Sequence, residues 1–154
     1  MHKCYYAFSL CPLIITEEEG YITHIEFSKD KSDEHYHDHN LVIDVCIDQL
    51  KDYFAGKSCQ LRFPFTITGS PKAQECYRYI FNNVLFGTTT SYGDVARQIH
   101  SSARAVGQFM AKNPLPFLVP CHRIISHDGS LGGYQGGLEL KRALILLEYH
   151  YMHN

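Results

Sequence analysis

At Thr68-Gly69-Ser70-Pro71 the apolar residues change their period, and this break limits the possible folds more than any other feature. Before it, apolar and polar residues alternate through Tyr21-Ile22-Thr23-His24-Ile25-Glu26-Phe27 and again through Leu61-Phe63-Phe65-Ile67, as half-buried strands require. After it, apolar residues recur three and four apart, as Cys76, Tyr77, Ile80, Phe81 and Val84 do on one helix. A length of 154 residues suits one domain or two small ones. The expected organisation is α+β, with a strand-rich α/β segment at 1–68 and a helical segment at 69–154.

The first segment also offers β-prone runs at residues 5–10 and 13–16, with a turn at Gly20. Residues 28–40 are polar and end in His35-Tyr36-His37-Asp38-His39-Asn40, which reads as a solvated loop rather than a metal site. Ile43, Cys46, Ile47, Leu50 and Phe54 have helical spacing, with Gly56 as the stop. In the second segment Thr90 or Ser91 caps a helix running to Ile99. A turn at His100-Ser101-Ser102 precedes a second helix from Ala103 to Lys112, closed by Asn113-Pro114 and Pro116. A glycine-rich stretch from Gly129 to Gly137 leads to a last helix, Leu138 to Tyr149, with Leu140, Leu144 and Leu147 on one face.

Charge divides at the same place. Residues 1–70 carry six Lys/Arg against eleven Asp/Glu, and residues 71–154 carry eight against five. The basic half is the candidate surface for a polyanion, although solvated faces also reach a net charge of this size by chance. A hydrophobic share of 45% and a charged share of 19% exclude a disordered chain. No apolar run reaches the length of a membrane span. The run Cys4-Tyr5-Tyr6-Ala7-Phe8 has no small-residue cleavage site after it, so no signal peptide is expected and the expected compartment is cytoplasmic. The cysteines at 4, 11, 46, 59, 76 and 121 form no C-x-x-C pair. The first five read as buried free thiols.

Two short helices joined by about three residues match a helix-turn-helix. The second is rich in small residues, Ala103, Ala105 and Gly107, with Arg104 and Gln108 four apart. It has too few long polar side chains to read base edges; it suits either tight packing against a neighbouring helix, as in a structural hairpin, or close approach to a DNA backbone and narrow groove. Cys121 lies in Pro120-Cys121-His122-Arg123, between a structural reading and a nucleophilic one. A thiol attacks as thiolate, and His122 and Arg123 offer the neighbouring base and positive charge that favour it.

From Thr90 to Glu148 the chain closely resembles the O6-alkylguanine-DNA alkyltransferases. The resemblance rests on Ser91-Tyr92-Gly93, Ala103-Arg104-Ala105-Val106-Gly107, Asn113-Pro114-Leu115-Pro116, Pro120-Cys121-His122-Arg123-Ile124-Ile125, Gly133-Tyr134-Gln135-Gly136-Gly137-Leu138, and Lys141 with Leu144 and Glu148. It implies a ribonuclease-H-like N-terminal domain and a C-terminal helical domain with a winged-helix-like helix-turn-helix.

By position, the resemblance makes Cys121 the alkyl acceptor, His122 its base through a water, and Glu148 the group that orients the imidazole. It makes Asn113 the brace of the cysteine turn, Tyr92 the proton donor to the leaving guanine, and Arg104 the finger that replaces the extruded base. Ala105, Gly107, Arg123, Gly133, Tyr134, Gln135 and Gly136 are implied at the DNA or the flipped base. Gln135 stands where some members place a serine beside O6.

The implied reaction is one irreversible transfer per chain, from O6-alkylguanine in double-stranded DNA, with O4-alkylthymine left open. It needs no cofactor or metal, no sequence reading and no membrane, and a monomer suffices. A lesion-binding module without chemistry, or a cysteine hydrolase using Cys121 and His122, are the alternatives. Methyl gain on Cys121 excludes the first, and a plateau at one equivalent excludes the second.

Overall fold

The computed structural model describes residues 1–153, and they divide into two compact units, residues 1–66 and 67–153. In the first unit β1 (His2–Ala7), β2 (Pro12–Glu18) and β3 (Tyr21–Phe27) form an antiparallel sheet in that order. The central strand β2 is buried on both faces at Leu13, Ile14, Ile15 and Thr16. The register stacks Cys4, Ile15 and Ile25 across the sheet. The helix α1 (Leu41–Phe54) packs on β2 and β3 through Ile43, Cys46, Ile47 and Leu50. Asn40 caps it by accepting from the Ile43 amide at 2.9 Å.

The strand expected at Leu61–Ile67 does not form. A single parallel bridge joins Ile22 to Phe65, through Ile22 N–H to Pro64 O and Thr66 N–H to Ile22 O. Pro64 has no amide hydrogen to extend a ladder, which limits the pairing to one bridge. Residues 28–40 lie at the solvent surface as expected, with none of them buried, but they carry local structure. Lys31–His35 form a 3-10 turn, and Tyr36 and Asp38 hydrogen-bond the backbone of β1. Among the described residues no group of three or more His, Cys, Asp or Glu side chains is placed to hold a metal ion. All the described cysteines are free, and Cys59 departs from expectation by being exposed.

The second unit holds α2 (Pro71–Asn83), β4 (Thr90–Ser91), α3 (Tyr92–Gln98), α4 (Ala103–Ala111), β5 (Ile124–Ile125) and α5 (Leu138–Met152). Ser70, Ser91 and Ser102 cap α2, α3 and α4 through their hydroxyls. The helix-turn-helix buries Val95, Ala96, Ile99, Val106 and Met110. Tyr77 on α2 donates its hydroxyl to Phe109 O at 2.7 Å, tying α2 to the end of α4. The parallel pair β4–β5 was not legible in the sequence. It sets Thr90 beside Ile124 and Ser91 beside Ile125, just after the Cys121 turn. Among the described residues no helix is long and apolar enough to cross a membrane.

Candidate active site

Cys121 opens a 3-10 turn, Cys121–Arg123, in which all three side chains are buried. Two proline-broken segments lead into it, and Asn113 braces them. The Asn113 amide donates to Val119 O at 2.8 Å, while its carbonyl oxygen accepts from Leu115 N–H at 3.0 Å. The Cys121 N–H in turn donates to Val119 O at 2.7 Å. Asn113 thus holds both ends of the loop that delivers the cysteine.

His122 is fully buried and its Nε2 lies 2.6 Å from Glu148 Oε2, reaching from the turn to α5. Glu148 also accepts from the Gly87 backbone amide at 3.0 Å. Burial alone would raise its carboxyl, but the hydrogen bonds from His122 and Arg123 and the Arg123 charge hold it well below the usual carboxylate range. Burial lowers His122 below the ordinary imidazole value, against the pull of Glu148, so the ring rests neutral. A neutral imidazole is ready to take a proton.

The Cys121 thiol is pushed up to about 11, first by burial. The Asn113 amide, the Lys141 charge and the backbone amides of Cys121 and His122 oppose that rise. The sulfur is therefore a thiol at rest, and it must lose its proton as it reacts.

Arg123 does not sit where the resemblance implied. It was expected at the DNA, but it is buried and grips Glu148 through Nε at 2.8 Å and Nη2 at 3.0 Å. Its Nη1 donates to Val84 O at 2.9 Å. The guanidinium neutralises the carboxylate that orients His122.

Tyr92 is half-buried at the start of α3. Burial raises its hydroxyl, the Cys121 charge adds to this, and the Gly133 N–H opposes it. The tyrosine therefore keeps its proton at neutral pH. Tyr92 packs on Gly132, where φ is +73° and a Cβ would come 2.9 Å from the hydroxyl. A cleft of about 680 Å³ opens beside it, with Ser91, Arg97, Ala103, Ser126 and His127 among its lining. Arg104 and Gln108 are exposed on α4, Ala105 and Gly107 are half-exposed, and a Cβ at Gly107 would touch nothing within 4 Å.

In the glycine-rich segment, Gly133 is exposed and Tyr134 and Gly136 are half-buried. Gln135, expected near O6 of the base, instead turns its amide to Met110 O at 2.9 Å and Asn113 O at 3.2 Å.

The sequence reading counted Lys141 in the resemblance but gave it no role in the site. The buried stripe of α5 is Lys141, Leu144 and Glu148, not Leu140, Leu144 and Leu147. The Lys141 ammonium is wholly enclosed and donates to Ile124 O at 2.6 Å, to Gly133 O at 3.1 Å and to Leu131 O. Burial pulls it down to about 8, with the Cys121 charge opposing. The i, i+3, i+7 spacing of Lys141, Leu144 and Glu148 was the available signal.

Residues 1–67 match the model of the 6-O-methylguanine DNA methyltransferase, ribonuclease-like domain. Residues 73–150 match that of the 6-O-methylguanine DNA methyltransferase, DNA binding domain. A methylated-DNA–protein-cysteine methyltransferase of Mycobacterium bovis is 40% identical over 104 residues, which cover 66% of this chain and 62% of that protein. That match thus spans less than two thirds of the relative's length. A protein of the same description from Metallosphaera sedula is 33% identical over 138 residues, covering 89% of this chain and 86% of that protein. The crystal structure of Mycobacterium tuberculosis OGT in complex with DNA superposes with a TM-score of 0.87 at 31% identity, covering 98% of this chain and 94% of that one. With both halves matched and a buried Cys121-His122 pair backed by Glu148, the chain belongs to the 6-O-methylguanine DNA methyltransferase family.

Proposed function

We propose that this chain repairs DNA by moving the alkyl group of O6-alkylguanine onto Cys121. The observation that carries the reading is the contact of His122 Nε2 with Glu148 Oε2, 2.6 Å apart and buried next to a buried cysteine. The relatives described above carry the same activity in their descriptions, and one is described in complex with DNA.

The Cys121 sulfur attacks the alkyl carbon in line with its bond to O6. The carbon–sulfur bond forms as the carbon–oxygen bond breaks, and the electron pair of that bond goes to the purine. The thiol proton passes to neutral His122 through Nδ1, because Glu148 takes Nε2. Glu148 balances the charge that then appears on the imidazole. Tyr92 delivers a proton to the purine, so guanine leaves neutral. The tyrosinate and imidazolium that remain neutralise each other by proton return. The thioether has no leaving group, so the transfer stops at one per chain.

The O6 substituent lies inside the base stack, so the base must rotate out of the duplex to reach Cys121. Arg104, exposed on the second residue of α4, is the side chain to fill the gap. Ala105 and Gly107 let that helix approach the backbone closely, with no array of long side chains to read sequence. Gly133, Tyr134 and Gly136 belong to the segment that encloses the base. A monomer acting in the cytoplasm on double-stranded DNA accounts for this arrangement, with no cofactor. O4-alkylthymine is a second substrate of the same chemistry. Incubation with duplex DNA carrying O6-methylguanine should add one methyl to the peptide containing Cys121, read by mass spectrometry. Unmodified Cys121 after full binding overturns the proposal.

A further inference from the structure

The geometry points to Gln135 as a positioning residue that fixes the base-enclosing segment to the end of the DNA-facing helix, so that transfer from DNA depends on it more than transfer from a free base. The inference rests on the alkyl-transfer reading above. Gln135 sits in the middle of residues 131–137, where side chains are few. Its Nε2 donates to Met110 O at 2.9 Å, on α4, and to Asn113 O at 3.2 Å, just beyond that helix. The base of the same segment is held separately, by Lys141 on Leu131 O and Gly133 O. Gln135 is thus a side chain that joins the segment's far half to α4.

The two carbonyls that Gln135 meets have further consequences. Asn113 is the residue whose side chain braces the turn into Cys121. One amide therefore ties three parts together: the helix that faces DNA, the turn that carries the sulfur, and the segment around the extruded base. On DNA, the position of the flipped base is set by the duplex, and hence by α4. The segment must then stand in register with α4 to meet that base. A free purine has no such tether and follows the segment wherever it settles. With its donors spent on two carbonyls, the Gln135 amide is not turned to the purine.

Three variants test this. Gln135→Met keeps the length and removes the donor. Gln135→Glu sets an acceptor against two carbonyl oxygens. Gln135→Asn keeps the amide but shortens its reach. The substrates are a duplex bearing O6-benzylguanine and the free base O6-benzylguanine, in single-turnover assays that separate the maximal rate from half-saturation. All three variants should lose roughly tenfold or more in maximal rate on the duplex, and about threefold or less on the free base. Gln135→Glu should lose most. Half-saturation by duplex should stay within about threefold, because the DNA-facing side of α4 is untouched.

Amide hydrogen exchange without DNA gives an independent reading: residues 131–137 should exchange faster in Gln135→Met, with the α5 amides unchanged. Equal losses on both substrates would mean that the side chain meets the purine, and would overturn the inference. So would unchanged exchange, or unchanged rates on the duplex. If the unaltered protein transfers no alkyl group from either substrate, the functional reading fails, while the exchange result still judges the Gln135 link.

Discussion

Arg123 holds Glu148 in a two-pronged grip, Nε to Oε1 at 2.8 Å and Nη2 to Oε2 at 3.0 Å, although the two residues lie 25 positions apart. The same Oε2 meets His122, so an ion pair that looks structural also bears on the carboxylate that orients the His122 ring. Burial works against the Glu148 anion, and His122 and Arg123 together oppose that effect. Replacing Arg123 by Met strands that carboxylate. The expected cost is about 3–5 kcal/mol of stability, read from urea unfolding. Arg123→Lys should recover part of it, because a point charge cannot reproduce the planar fork. A loss confined to DNA affinity, with stability intact, would return Arg123 to the DNA surface.

The thiol of Cys121, at about 11, sets a pH dependence for its reaction with a small alkylating reagent. Above the ordinary cysteine range most free thiols stop gaining reactivity, but this one should keep rising, by roughly tenfold per pH unit, up to about pH 10. Exposed Cys59 should react first. Peptide mass spectrometry across pH 7–10 separates the two. Cys121→Ser should leave the fold intact and abolish methyl transfer, because a hydroxyl is far harder to ionise than a thiol.

Lys141 lies over the Tyr92 ring, 5.7 Å from its centre, and its charge favours the Cys121 thiolate. Lys141→Met removes that charge and leaves the carbonyls of Ile124, Leu131 and Gly133 without their donor. The sign is fixed: losing a nearby cation disfavours the thiolate, so the alkylation profile of Cys121 must move to higher pH. The melting temperature should fall as well, because buried carbonyls lose their partner. A profile unchanged or shifted downward would contradict the assignment.

Gly107 separates fold from function. It sits inside α4, where alanine is the better helix former by about 0.5–1 kcal/mol, and the protein offers nothing for a methyl group to strike. Gly107→Ala should therefore raise the melting temperature while weakening binding to duplex DNA by several-fold, as fluorescence anisotropy would report. Tighter or unchanged binding would place the DNA on another face.

Gly132 and Tyr92 form the last pair. Gly132→Ala would drive a Cβ to 2.9 Å from the Tyr92 hydroxyl at a φ of +73°. It should slow transfer about as much as Tyr92→Phe, which removes the proton donor and keeps the ring. Single-turnover rates on methylated duplex compare them, and a full rate in Tyr92→Phe would remove tyrosine from the proton path. Proton donation of this kind is worth about 10²–10⁴-fold.

The chain by itself determined the capped helices and the helix-turn-helix, because each depends on neighbours within a few positions. Ser70, Ser91, Ser102 and Asn40 cap the helices that their spacing foretold. The Cys121-His122 pair was legible for the same reason, being adjacent in sequence. Only the tertiary structure decided the rest. Leu61–Ile67 has a strand's alternation, but Pro64 and the lack of a longer partner reduce it to one bridge. Arg123 and Lys141 are charged, and hydropathy puts charged residues outside. They are inside because Glu148 and three backbone carbonyls, distant in sequence, replace the water they lose. Gln135 turns its amide to Met110 and Asn113 for a like reason: they carry the acceptors that match it, and no local pattern announces them.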